Sequence, residues 1–260
     1  MYQFLALLSL FLISLVVFIF GLIIGSFLNC VIYRLEINKS FLKGRSFCPD
    51  CQHTLNWQDL FPVFSFIILK GRCRYCQKKI SWQYPLVEIA TGLLFLLIFN
   101  FQLPIFNYFI VPFFIAIFVY DLKHYIIPDK IVYPAVIIML IFNLQFLISK
   151  QFSIFNSLIL SAVGAAAFFL AIVLISRGKW MGVGDIKLAF LMGLVLGYPN
   201  ILVSLFLAFL TGAIIGIGLI AFNKKTLKSA VPFGPFLVIG ALVAMFFGGM
   251  IADWYFNFFI

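Results

Sequence analysis

Asp121 and Asp185 stand almost alone among apolar neighbours, one in Val119-Tyr120-Asp121, the other in Gly182-Val183-Gly184-Asp185. A carboxylate beside hydrocarbon is costly and is usually functional. Two carboxylates brought together share one proton. The charged member takes a proton from water as the water attacks a carbonyl, and the neutral member donates to the carbonyl oxygen. That chemistry cuts peptide bonds. The two histidines, His53 and His124, suggest no Ser-His-acid or Cys-His grouping, and no H-E-x-x-H motif occurs. Each acid also has a plainer reading. Asp121 suits an interfacial acid paired with Lys123 or His124, and Asp185 suits an N-cap. Asp129, directly after Pro128, reads as the cap of the next helix. Gly182 and Gly184 tip the balance at Asp185, because they clear side chains from its flank and let another backbone approach. Lys187, two residues on, either tunes that site or anchors its helix in the headgroups.

A second chemistry lies near the N-terminus. Cys48-Pro-Asp-Cys51 and Cys73-Arg-Tyr-Cys76 are two C-x-x-C pairs in one loop, the pattern of a closed four-thiolate zinc site. Such a site is structural, because four thiolates leave no position for water. Two disulfides are the rival reading, and a reducing compartment argues against them. His53 reads as a bystander and Cys30 as a small core residue.

The elements that position these residues follow from composition. Of 260 residues, 65% are hydrophobic and 10% charged, and the mean hydropathy is +1.17. The expected fold is an all-α polytopic membrane protein of about eight transmembrane helices. The apolar runs fall near 4–32, 84–102, 104–120, 130–148, 155–176, 185–198, 200–222 and 232–256. The first basic residue is Arg34, so residues 4–32 read as a retained helix rather than a signal peptide. Loops 33–83, 121–130, 177–187 and 223–231 carry 17 of the 18 Lys and Arg residues; the other set of loops carries only Lys150. The positive-inside rule assigns the basic face to the cytoplasm and puts both termini outside. It also puts Asp121 and Asp185 at the same face and the cysteine loop in the cytosol. The net charge of +10 does not indicate nucleic acid, because the basic residues lie in short loops where they set topology.

Leu60–Leu69, between the two cysteine pairs, is apolar but too short to span, so it is expected to lie on the membrane surface or against other helices. Gly193-x3-Gly197 and Gly212-x3-Gly216 read as sites of close helix packing, with admission of a substrate helix as the rival reading. The expected division is a first helix (1–32), a four-cysteine zinc loop (33–83) and an aspartic peptidase core (84–260).

The chain resembles the type IV prepilin peptidases, aspartic membrane proteases of the GxGD class, in five motifs in order. These are Gly25-Ser-Phe-Leu-Asn-Cys-Val-Ile-Tyr-Arg-Leu35, with Glu36 where proline is common; the paired C-x-x-C loop running into Ile80–Glu88; Asp121 with Ile127-Pro128-Asp129; Gly182-Val-Gly-Asp-Ile-Lys-Leu188; and Pro232-Phe-Gly-Pro-Phe236. The resemblance implies that Asp121 and Asp185 are catalytic. It implies cleavage of the basic leader from prepilins or pseudopilins, after a glycine, at the cytoplasmic face of the bacterial inner membrane. Pilus assembly, secretion and DNA uptake use such substrates. It also implies N-methylation of the new N-terminus with S-adenosylmethionine, a role tied to the cysteine loop, although no glycine-rich nucleotide motif is evident. The presenilin-like proteases share the tyrosine-aspartate and GxGD pairs but not the cysteine loop. A zinc-stabilised transporter using Asp121 and Asp185 as a proton relay is the alternative from another class. Both acids at one face, and no visible inverted repeat, weigh against it.

Overall fold

A computed structural model describes residues 2–40, 44–222 and 231–259. The basic residues Lys224, Lys225 and Lys228, on which part of the charge asymmetry rests, lie outside the described residues. Each of the eight apolar runs is a helix: α1 (Tyr2–Glu36), α3 (Gln83–Asn100), α4 (Phe106–His124), α5 (Asp129–Ile148), α6 (Phe152–Ser176), α7 (Val183–Leu196), α8 (Asn200–Ala221) and α9 (Gly234–Phe259). A short helix, α2 (Phe64–Ile68), lies in the loop after α1 and follows a 3-10 turn at Trp57–Leu60. No strand occurs among the described residues.

Seven of these helices are long and apolar enough to cross a membrane, so the chain is a multi-pass membrane protein. In hydrocarbon a helix satisfies its own backbone, which is why the long apolar runs fold this way. Their outer faces are apolar too: α6 exposes Leu160, Leu174 and Ile175. The sixth run differs. With 14 residues, α7 extends only about 21 Å. It packs against α5, α6 and α9, and Leu188, Ala189, Leu191, Met192 and Leu194 are wholly buried. Gly193 lets α7 press against the backbone of α6 at Ala162. In the second glycine pair, Gly212 faces Phe233 and Phe236, whereas Gly216 faces open space.

The chain divides into two compact units, Met1–Ala116 and Ile117–Ile260. In the first, α1 packs along α3. A Cβ on Gly21 would lie 2.7 Å from the Gly92 Cα, and one on Gly25 would lie 2.6 Å from the Glu88 Cα. Glycine at these places is what allows the two backbones to touch. In the second unit, α7 is the central helix, and α8 packs along α9.

Candidate active site and metal centre

Asp121 lies in the last turn of α4, and Asp185 in the first turn of α7. Both are buried, at 4% and 7% exposure, in a unit whose surroundings are almost wholly apolar. Each carboxylate is met by a glycine amide. Gly182 N–H donates to Asp185 Oδ2 at 3.1 Å, and the Gly234 amide is directed at the Asp121 carboxylate as a donor. Both amides belong to helix starts. Gly182 is the N-cap of α7, and Gly234 is the first residue of α9. First-turn amides have no carbonyl partner within their own helix, and the helix dipole favours an anion there. An apolar site thus acquires polar support from backbone amides.

Glycine is required at these places for space. A Cβ on Gly234 would lie 2.5 Å from Asp121 Oδ2 and 3.2 Å from Ile127 Cδ1. A Cβ on Gly184 would lie 2.9 Å from Ile127 Cβ. The Ile127 side chain is therefore seated beside Gly184, Gly234 and Asp121, and brings the end of α4, the start of α7 and the start of α9 to one place. Asp121 also lies within electrostatic reach of Asp185. An anionic and a neutral carboxyl at such a site can hold a water between them and exchange one proton.

The plainer readings of the acids come out differently. Asp185 is not the N-cap of α7; it sits three residues in, and its carboxylate reaches back to the cap amide. Asp129 is likewise not a cap. Pro128 occupies that position, and Asp129 Oδ1 instead meets Lys187 Nζ at 2.6 Å. The Lys187 ammonium also lies 5.2 Å from the centre of the Tyr133 ring. Lys187 thus ties the start of α7 to the start of α5. Sequence reasoning missed Gly234 and Ile127 as parts of the site. Their only signal was membership in the Pro232–Phe236 and Ile127-Pro128-Asp129 motifs.

The four cysteines converge. Cys48, Cys51, Cys73 and Cys76 place all their sulfurs within 4.8 Å of one another, with 3.9 Å between Cys48 and Cys76. A tetrahedral ion at about 2.3 Å from each sulfur needs sulfur pairs about 3.8 Å apart, so the cluster has the dimensions to hold a metal ion. All are free thiols rather than disulfides. The two knuckles are built alike. Cys48 N–H donates to His53 O and Gln52 N–H to Cys48 O; Cys73 N–H donates to Lys78 O and Gln77 N–H to Cys73 O, all at 2.9–3.0 Å. Gln52 and Gln77 occupy the same left-handed position, at φ 57° and 59°. Single bridges, Phe47 to Thr54 and Arg72 to Lys79, close each knuckle. His53 stays outside the cluster and stacks on Tyr75 with ring centres 3.7 Å apart. Cys30, half-buried rather than fully in the core, meets Ser46.

Comparisons with known proteins cover both regions. Residues 19–101 match the family model of the bacterial peptidase A24 N-terminal domain, and residues 108–217 match that of the type IV leader peptidase family. A prepilin leader peptidase/N-methyltransferase of Legionella pneumophila is 33% identical, with 93% of each chain covered. One from Bacillus subtilis (strain 168) is 33% identical, covering 92% of this chain and 96% of its own. One from Aeromonas salmonicida is 32% identical, covering 92% of each. No solved structure matches the chain. These matches give no support to the transporter alternative.

Proposed function

The chain belongs to the type IV leader peptidase family, and on that premise we propose that it is an aspartic endopeptidase that removes the basic leader from prepilins or pseudopilins, with Asp121 and Asp185 as its catalytic pair. The observation that carries the residue assignment is the convergence of two buried carboxylates, at the end of α4 and the start of α7, each supported by a glycine amide from a helix start. The mechanism follows from that arrangement. The substrate's apolar helix lies among the spans, and its leader stays in the aqueous phase, which places the scissile bond at interface depth. The ionised aspartate takes a proton from the attacking water while the protonated one donates to the carbonyl oxygen. The resulting tetrahedral carbon collapses as the leaving amine takes up a proton. Gly182 and Gly234 hold the two carboxyls, and the missing side chains at Gly184 and Gly234 keep room for them. Lys187 supports the site by fixing α7 against α5.

The four thiols suit a Zn2+ ion. Held by Cys48, Cys51, Cys73 and Cys76, it would clamp the two knuckles and supply structure rather than a reactive water. The relatives' names include N-methyltransferase, and we extend that second activity to this chain. Its methyl donor is S-adenosylmethionine, to which no residue is assigned. The orientation we propose puts the aspartates and the 33–83 loop on the cytoplasmic side of the bacterial inner membrane, with both termini outside. The peptidase chemistry then falls within residues 84–260.

The test is incubation with a short substrate carrying a basic leader, a glycine and an apolar helix, followed by mass measurement. The expected products are the free leader and a mature chain whose N-terminus gains a methyl group when the donor is present. Cleavage that persists in Asp121→Asn or Asp185→Asn protein would remove the pair from the mechanism.

A further inference from the structure

Between the two knuckles the loop carries an apolar surface that the peptidase chemistry does not use. The 3-10 turn exposes Trp57, Leu60 and Phe61, and α2 exposes Phe64, Ile67 and Ile68, at 41–74% exposure. Both sets have i, i+3, i+4 spacing, so each turn presents one apolar face. The opposite side is used for folding: Ser65 is buried and donates to Gln58 O at 2.7 Å. Six large apolar side chains on a water-facing loop would be a liability.

The depth of this surface is set by one hydrogen bond. Val63 N–H donates to Glu88 Oε2 at 2.7 Å. Glu88 is buried and lies five residues inside α3, a helix of spanning length. Five residues correspond to about 7.5 Å along the helix axis. Val63 takes a backbone conformation rare for a β-branched residue, φ 62°, at the point where it makes this bond. Trp82, directly before α3, packs its ring 5.0 Å from that of Phe66 and is itself exposed. The loop is thus held beside the opening turns of a membrane helix, where the surrounding medium is lipid headgroup and upper acyl chain.

The charges around it favour one kind of lipid. Arg74 and Lys78 are neutralised by Asp59 and Asp50. Lys70, Arg72 and Lys79 are exposed and have no acid partner among the described residues. Lys70 and Arg72 directly follow the apolar segment.

We propose that Trp57–Leu69 is an interfacial wedge embedded in an anionic phospholipid leaflet, with Lys70, Arg72 and Lys79 on the headgroup phosphates, so that the four-cysteine centre is fixed at the membrane surface. Trp57 and Trp82 act as the aromatic anchors. Basic side chains at a charged leaflet add electrostatic attraction to the apolar burial.

The test uses the full-length protein in lipid nanodiscs, with Trp57 as the only tryptophan (Trp82→Phe, Trp180→Phe, Trp254→Phe). A second protein keeps Trp82 alone and marks the start of α3. Lipids brominated near the headgroup should quench Trp57 to within about twofold of Trp82, and lipids brominated at the chain end should quench both less. Aqueous iodide should quench Trp57 weakly. Phe64→Glu with Ile68→Glu should raise iodide quenching of Trp57 while leaving Trp82 unchanged, which also shows that the fold persists. Adding phosphatidylglycerol to phosphatidylcholine should increase lipid quenching of Trp57, and Lys70→Gln, Arg72→Gln, Lys79→Gln together should abolish that increase. Strong iodide quenching with no bromine quenching would overturn the wedge. So would shielding of Trp57 from both quenchers, which would mean that protein covers this face. Equal bromine quenching with and without phosphatidylglycerol would overturn the preference for anionic lipid.

Discussion

The aspartate site and the cysteine centre solve opposite problems. The aspartates are charged groups held in apolar surroundings, so their support must come from the backbone, through the Gly182 and Gly234 amides. The cysteines lie in a loop rich in cations, where ordinary side-chain pairs are available, such as Arg74–Asp59 and Lys78–Asp50. The sites also differ in sequence span. All four thiols come from 29 residues, Cys48 to Cys76, and each knuckle is a local turn. The aspartate site draws on Asp121, Ile127, Gly184 and Gly234, more than a hundred residues apart at the extremes. A local site depends on its ligand, whereas an assembled site depends on packing.

The sharpest test of this contrast is at the aspartates. Asp121→Asn and Asp185→Asn should each lower the rate of leader cleavage by at least about a hundredfold, the scale of a lost acid or base. The double variant should be little worse than either single one, because the two carboxyls act as a unit. Metal content should be unchanged in all three. Multiplying losses would show two independent roles rather than a shared proton.

A packing change should come next in size. Gly234→Ala puts a methyl group against the Asp121 carboxylate and also displaces the amide that supports it. A displacement of about 1 Å at a reacting group can cost a hundredfold, so a fall of about tenfold to a hundredfold in cleavage is expected, with the metal retained. Wild-type cleavage by Gly234→Ala would mean that the start of α9 does not hold the site.

The contrast also explains what could be read from the chain alone. Eight apolar runs gave eight helices, because run length against bilayer thickness is a strong local signal. The thiols were legible because C-x-x-C spacing encodes a turn. Asp121 and Asp185 stood out because charge is rare in this chain. Ile127 and Gly234 were not legible as site residues, since nothing in an isoleucine or a glycine says which distant helix it will meet. Asp129 was misread for the same reason. Proline before an acid suggests a cap, but Lys187, 58 positions away, claims the carboxylate. The partner of Glu88 was not legible either, because its donor is a backbone amide in another segment.

Removing the metal should affect the first unit most. Cys48→Ser or Cys73→Ser should reduce the metal from about one ion per chain to nearly none, since binding needs all four ligands. Cleavage should remain within about tenfold of wild type, because the ion supplies no water to the reaction. A chelator should not inhibit cleavage directly. Complete loss of cleavage with the fold intact would tie the two regions more tightly than their separate chemistries require.

The smallest effect expected concerns Asp59, which knits the loop between the knuckles. Burial works against its charge, but the Arg74 hydrogen bond, the Asn56 amide and the Tyr75 hydroxyl outweigh it and hold the carboxyl below its usual range. Arg74 is well exposed, so solvent screens the pair and the contribution should stay under about 1 kcal/mol. A carboxyl whose folded value is lowered stabilises the protein above its ordinary value, and that stability is lost as pH falls through the lowered one. The melting temperature of wild type should therefore exceed that of Asp59→Asn at neutral pH. The gap should close as the solution is taken below about pH 4. Acid also protonates the thiols and releases metal, but it does so in both proteins. The difference between them, rather than either melting temperature alone, reports Asp59. A gap that persists at low pH would assign the stabilisation to side-chain packing rather than to the charge.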